Sequence, residues 1–317
     1  NGGNFIIENL TINRDTTDYV GLFYPDSIPV GCHFENIHLK TVNVTGRNTV
    51  GALCGSSHQD ITNCSVEGGS VTGTSSVGGL VGIISASIIN CFADVTVVGY
   101  EFCGGLVGNL TLNTNKTVEN CYSMGQVSGS SNIGGLIGRL QLYANSYNQI
   151  NKCYATGDVS GTWATVGGLI GSVYNGASPN DRGGISNCYA TGDVSANAGY
   201  SYAGGLIGWL YSLSELDSVE NCYSMGQVSG NLNVGGLIGK RSVDILVTDC
   251  FWDTETSGQS TSDGGTGKTT IEMKTESTYT NWDFDDIWGI NDSYPYHLIV
   301  AAAEDVEDNG VYWGEEE

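Results

Sequence analysis

One pattern recurs along this chain so often that it leaves little choice of architecture: an Asn followed by a residue of buried type, then a Gly-Leu turn. Nine copies of the first block are visible, at Asn9-Leu10, Asn36-Ile37, Asn63-Cys64, Asn90-Cys91, Asn120-Cys121, Lys152-Cys153, Asn187-Cys188, Asn221-Cys222 and Asp249-Cys250. Their spacings are 27, 27, 27, 30, 32, 35, 34 and 28, so a 27-residue unit has taken insertions in the middle of the array. The second block runs Gly21-Leu22, Gly51-Ala52-Leu53, then GGLVG at Gly78 and Gly104 and GGLIG at Gly134, Gly167, Gly204 and Gly235. Self-similarity at such a period marks a stack in which each unit buries its apolar face only against its neighbours.

The units read as strands. In NCYSMGQVSG (Asn221 to Gly230), alternation puts Cys222 and Ser224 on one face and Tyr223 and Met225 on the other, with Val228 resuming the inner face. Short β-runs broken by Gly, Asn and Ser, with no helical period, exclude a helical solenoid. The expected fold is all-β: a parallel β-helix of about nine coils of 27–35 residues. In GGLIG both alternating faces are apolar or Gly, so the pattern leaves open whether Leu or Ile faces the core. Almost all length variation falls between the closing Gly of GGLxG and the next Asn, which places loops on one side of the stack.

Composition narrows the partners. Thirty-four acidic residues stand against 11 Lys and Arg, a formal charge of −23, which repels phosphate backbones and anionic membranes. Nucleic acid is excluded as a partner on that ground. No run of about 18 apolar residues occurs, so this segment is not expected to insert into a membrane. The start, NGGNFIIENL, has neither the basic nor the apolar part of a signal peptide, so any such signal is expected to have been removed or to lie upstream.

The repeated GGLVG and GGLIG, preceded by NCYATGDVSG-like strands, resemble the GLUG-motif repeats of bacterial and archaeal surface and secreted proteins. The stretch from Cys250 to Leu298 is similar to the segment that closes such arrays, with Trp252, Gly265, Met273, Trp282, Phe284, Trp288 and Pro295 at matching places. The resemblance implies an extracellular or cell-surface module of adhesin-like, S-layer-like or secreted proteins. It divides the chain into repeats (1–250), a closing cap (251–298) that would cover open strand edges, and an acidic tail or linker (299–317). At the N-terminal end no cap is visible, so self-association through that end is an expectation.

Candidate sites follow from residue chemistry. Cys64, Cys91, Cys121, Cys153, Cys188, Cys222 and Cys250 recur at one slot and should stack as small buried residues; Cys54 and Cys103, at apolar slots equivalent to Val81 and Ile133, belong to the core as well. Stacked parallel side chains would have to distort to reach disulfide geometry. The Asn column should bond its own kind or the backbone at a corner, with Lys152 as a break. Asn-x-Ser/Thr sequons stand at Asn9, Asn43, Asn109, Asn115 and Asn291. GGTGKTT (Gly264 to Thr270) lacks the first P-loop glycine, because that position is Ser262. His33, His38, His58 and His297 show no metal-ligand spacing and no HExxH.

Asp158 and Asp193 share one slot in successive coils and could hold Ca²⁺ or act as a carboxylate pair, although Gln126 and Gln227 fill that slot in the flanking coils. No other cofactor is called for. Arg139, Lys152 and Arg182 are the central basic residues that a carbohydrate-active β-helix could recruit. The functional signal is aromatic: Tyr143, Tyr147, Tyr174, Trp209 and Tyr211 fall in the variable loops, and Trp163, Tyr200 and Tyr202 precede the Gly-Leu block of the same coils. Aromatic faces among Asn, Ser and Gly suit sugar rings or a protein surface. The expected function is a non-catalytic scaffold or adhesin that presents these residues to a glycan or surface protein. Alternatives are a carbohydrate-active lyase or hydrolase and a self-assembling surface-layer or filament subunit.

Overall fold

A computed structural model describes residues 1–24, 32–113, 115–142, 147–175, 182–197, 201–212, 218–242 and 245–298. The chain winds as a parallel β-solenoid. The coil around Asn120 shows the plan: an approach strand (Thr117–Glu119), a corner at Asn120, a cysteine strand in two parts (Tyr122–Ser123, Val127–Gly129), a first arch leg (Ser131–Gly134) and a second arch leg (Ile137–Leu142). Each segment pairs in parallel with its counterpart one coil away, for example Tyr122 with Tyr154 and Ile137 with Ile170. Four long sheets result, which we call the approach, cysteine, first arch and second arch sheets.

Seven strands stand in each arch sheet and eight in the approach sheet, so the described solenoid has about seven turns, not nine. The outermost copies of the repeat fall in partial coils. The first coil also corrects the repeat register: Ile6 pairs with His38 and Thr11 with Asn43, a shift of 32 residues, so Asn4 and not Asn9 occupies the corner slot. Leu10 and Ile12 set this register by packing against the core on the same face as Val42 and Val44. An Asn-Leu pair at that point matches the repeat by chance of sequence, whereas burying two aliphatic side chains decides the pairing.

The core is one column of aliphatic side chains and thiols running the length of the stack. Leu and Ile of the GGLIG arch are both buried, as Leu136 and Ile137 show, because the chain turns between them. The arch glycines have different neighbours. A Cβ on Gly134 would lie 2.0 Å from the Ile137 carbonyl oxygen, so the two legs touch backbone to backbone. The next glycine faces the cysteine strand: a Cβ on Gly135 would sit 2.8 Å from that of Ala155, and one on Gly205 2.7 Å from Ser224 Oγ. Small residues in that column (Ala93, Ser123, Ala155, Ala190, Ser224) complement the glycines.

That column ends on Trp252, paired with Ser224, whose indole fills the space beside Gly236 and donates to the Gln259 carbonyl at 2.9 Å. Beyond it, Thr266–Lys268 adds a last parallel strand to Phe251–Asp253. The GGTGKTT stretch is thus the final strand and the capped start of a one-turn helix, Thr270–Met273, with Thr269 and Glu272 forming a capping box. The chain then folds back along the outside of the last coils. Met273, Tyr279, Trp282 and Trp288 pack on Tyr189, Tyr223 and Phe251. Residues 299–317, read as an acidic tail, lie outside the described residues.

Candidate functional site: an aromatic patch on the arch

Insertions in the middle coils lengthen strands as well as loops. Tyr174 lies in the second-arch strand Ile170–Asn175 and Trp209 and Tyr211 in Ile207–Ser212, whereas the spacing had placed them in loops. Extra residues continue the ladder because each finds a partner in the neighbouring coil: Tyr174 pairs with Tyr211, and Ser172 with Trp209. Tyr147 likewise begins the approach strand Tyr147–Asn151. Tyr143 and Tyr200 lie outside the described residues.

Four of the predicted aromatics meet. Tyr202, on the first arch leg, stacks on Trp209 of the second leg at 5.4 Å between centroids; Trp209 tilts against Tyr211 at 5.2 Å, and Tyr211 stacks on Tyr174 at 5.4 Å. All four are half-buried. Each ring therefore spends one face on a neighbour and keeps part of its surface in solvent. Trp209 Nε1 donates to Ser242 Oγ at 3.1 Å, which fixes the indole. Arg139 extends the patch, its guanidinium 5.8 Å from the Tyr174 ring and 5.2 Å from that of Phe102. Phe102 was not singled out by sequence reasoning; its left-handed φ of 54° sits in a column with Thr49, Ser76 and Asn132, visible only once the coils are stacked.

Other candidates go elsewhere. Trp163 is 66% exposed, at the corner between the cysteine sheet and the first arch leg. Asp158 accepts the Asp193 backbone N–H at 3.0 Å, and Asp193 that of Gln227 at 2.8 Å, so the shared slot bridges coils where the cysteine strand is interrupted. Among the described residues no group of three His, Cys, Asp or Glu side chains is placed to hold a metal. Arg139 stands on the second arch sheet and Lys152 at the approach corner, so these two bases do not converge.

The seven cysteines line one inner edge, and each thiol donates to the carbonyl two residues earlier, from Cys64 to Thr62 at 3.3 Å through Cys222 to Glu220 at 3.0 Å. All ten cysteines are free of disulfides. Burial pushes the Cys54 and Cys103 thiols up to about 12, and burial together with thiol neighbours holds Cys121, Cys188 and Cys222 above the usual range. Burial of this kind disfavours the nucleophilic thiolate at those five positions.

A second aromatic column was legible but not weighed. Phe92, Tyr122, Tyr154, Tyr189 and Tyr223, each one residue after a ladder cysteine, stack outside the cysteine sheet at 4.7 to 5.1 Å. The folded-back closing segment covers its later members: Tyr223 donates to the Pro295 carbonyl at 2.6 Å, and Trp288 and His297 bond Asn187. Burial raises the Tyr154 phenol to about 12.

The GLUG-motif family model matches residues 73–98 and 164–195, which contain the arches at Gly78 and Gly167. The chain thus carries the GLUG motif in these two regions. The chain is 36% identical over 179 residues to a protein of Evansella cellulosilytica named as a candidate Gly-rich membrane protein, covering 53% of this chain and 16% of that one. A further match, 32% over 113 residues, is to halomucin of Haloquadratum walsbyi, covering 36% of this chain and 1% of that protein. The chain thus spans a small part of both relatives. Among solved structures, a Bacteroides ovatus protein named as a candidate immunoglobulin A1 protease superposes with a TM-score of 0.51 at 20% identity, over 93% of this chain and 86% of that one. That likeness concerns the fold. Among the described residues no helix of the GLUG coils or the closing segment is long and apolar enough to cross a membrane.

Proposed function

We propose that this chain works outside the cell, at or near its surface, as a non-catalytic β-solenoid module that holds the arch patch against a glycan or a surface protein. The observation that carries this reading is the contiguous set Tyr174, Tyr202, Trp209 and Tyr211 with Arg139, a composition enriched at binding hot spots. Rings pinned by stacking lose little entropy on binding, which favours recognition by a preformed surface. The surface setting is supported by the names of the two relatives and by the strongly acidic, Ser-, Thr- and Asn-rich composition. A catalytic reading draws no support from Asp158 and Asp193, whose carboxylates accept backbone N–H groups. Filament growth by head-to-tail stacking is opposed by the closing segment, which covers the C-terminal coil.

The test is a broad glycan array together with a panel of host and matrix proteins, probed with the 317-residue chain and with Trp209→Ala/Tyr174→Ala. Selective binding that disappears in the double variant, with its circular dichroism unchanged, supports the patch as the binding surface. Binding that survives in that variant refutes it.

A further inference from the structure

A different surface of the same coils forms a groove. At the corner between the cysteine sheet and the first arch sheet, Gly99, Gly129 and Gly161 occupy equivalent places in three successive coils. Their backbones are drawn against the core: a Cβ would lie 2.5 Å from Cys103 Sγ at Gly99, 2.6 Å from Ile133 Cδ1 at Gly129 and 2.4 Å from Val166 Cγ2 at Gly161. Beside them Tyr100, Ser160 and Thr162 are exposed while Ser130 is buried, and these residues line a hollow of about 310 Å³ that spans the coils.

Its walls are hydroxyls and amides. Ser128 and Ser160 pair in neighbouring coils, Thr162 Oγ1 donates to Ser130 Oγ at 3.1 Å, and Asn197 closes one end. None of the lining residues is charged. At the same corner stand Tyr100 and Trp163, 60% and 66% exposed, among the most exposed aromatic rings of the described residues. The backbones of their two coils flank that of Ser130: its N–H donates to Tyr100 at 2.8 Å, and its carbonyl accepts from Trp163 at 2.7 Å. Two coil spacings separate them, roughly 10 Å, close to the length of a disaccharide in an extended chain.

We propose that this groove binds a neutral, linear oligosaccharide laid along the solenoid axis. Tyr100 and Trp163 would take the apolar faces of sugars two units apart, while the Ser, Thr and Asn rim and the exposed corner backbone bond ring hydroxyls. The formal charge of −23 and the uncharged lining exclude polyuronates and sialylated chains as the favoured class. This site stands on its own geometry and is separate from the arch patch.

Isothermal titration of the 317-residue chain with cellohexaose and N-acetylchitohexaose, and with hexagalacturonate as the anionic control, tests it. We expect at least one neutral hexasaccharide to bind, and Trp163→Ala and Tyr100→Ala each to weaken it about tenfold, as loss of a central aromatic contact does. Both side chains are largely exposed, so both variants should keep the parent's circular dichroism and melting temperature. Trp209→Ala, in the arch patch, should leave the titration unchanged. The proposal is overturned if neither neutral hexasaccharide binds, if hexagalacturonate binds as tightly, or if the affinity follows Trp209 and not Trp163. Failure here leaves the array result for the arch patch standing, and the reverse also holds.

Discussion

At the scale of single residues, the corner before each cysteine explains the repeated Asn. Asn36, Asn63, Asn90, Asn120, Asn187 and Asn221 all have φ between 50° and 55°, the left-handed region that Asn tolerates better than other non-glycine residues. The amides then bond one another between coils, Asn120 to Asn90 at 3.1 Å and Asn221 to Asn187 at 3.5 Å. Lys152 holds the same φ of 52° without that chemistry, and Asn187 reaches to Asn151 instead. Lys152→Asn should therefore stabilise the protein by about 1 kcal/mol and raise its melting temperature, measured by thermal unfolding. The thiol closes the same corner from inside. Cys188→Ala removes its bond to the Ser186 carbonyl and leaves a small void, for an expected loss of about 1–2 kcal/mol in urea unfolding. The column of Asn and Cys was plain from spacing alone. Its cause, a left-handed corner, is a backbone property that hydrophobic alternation does not encode.

At the scale of the element, the arch is the unit under greatest steric constraint. Gly168 has no room for a side chain: a Cβ would stand 2.0 Å from the Gly205 carbonyl oxygen and 2.9 Å from Ala190 Cβ. Gly168→Ala should cost more than about 3 kcal/mol or prevent folding, because both neighbours are backbone or core in the next coil and neither can move alone. Ser160→Ala, on an exposed part of the cysteine strand, should change the free energy of urea unfolding by less than about 0.5 kcal/mol. The identity of the arch was readable from GGLIG, but which glycine faces backbone and which faces Ala or Ser was not. That division depends on how two legs and a neighbouring sheet meet in space.

At the scale of the whole molecule, the closing segment ties the end of the stack to its side. Asp253 anchors it: burial raises its carboxyl, but bonds from Tyr294, Thr270 and the N–H groups of Thr256 and Glu255 outweigh that and leave it below the usual range. His297 sits against Tyr154, Tyr189 and Trp288 and donates Nε2–H to the Asn187 carbonyl at 2.8 Å. Burial lowers its pKa to about 4, with Lys152 adding to the shift. Above about pH 6.5 the ring is neutral both folded and unfolded, so stability is full; as pH falls from 6.5 to 4 the unfolded chain takes the proton first, and up to about 3 kcal/mol is lost. Asp253 gives a second loss at lower pH, as pH falls through its depressed value. Tryptophan emission should report release of the closing segment in the first of these windows, and His297→Phe should remove that step while leaving the second.

Repeat period, strand type, parallel stacking, the thiol column and the closing segment's aromatic content were all present in the one-dimensional pattern, because each depends on spacing and polarity within a coil. The register of the first coil, the number of full turns, the fold-back onto Tyr189 and Tyr223, and the meeting of Trp209 with Tyr202 and Tyr174 were decided by the tertiary structure. These depend on which coil lies beside which and on how much room lies between them. Tyr100 and Trp163, 63 residues apart in the chain, stand at one corner two coils apart only because their coils stay in register despite insertions of different length.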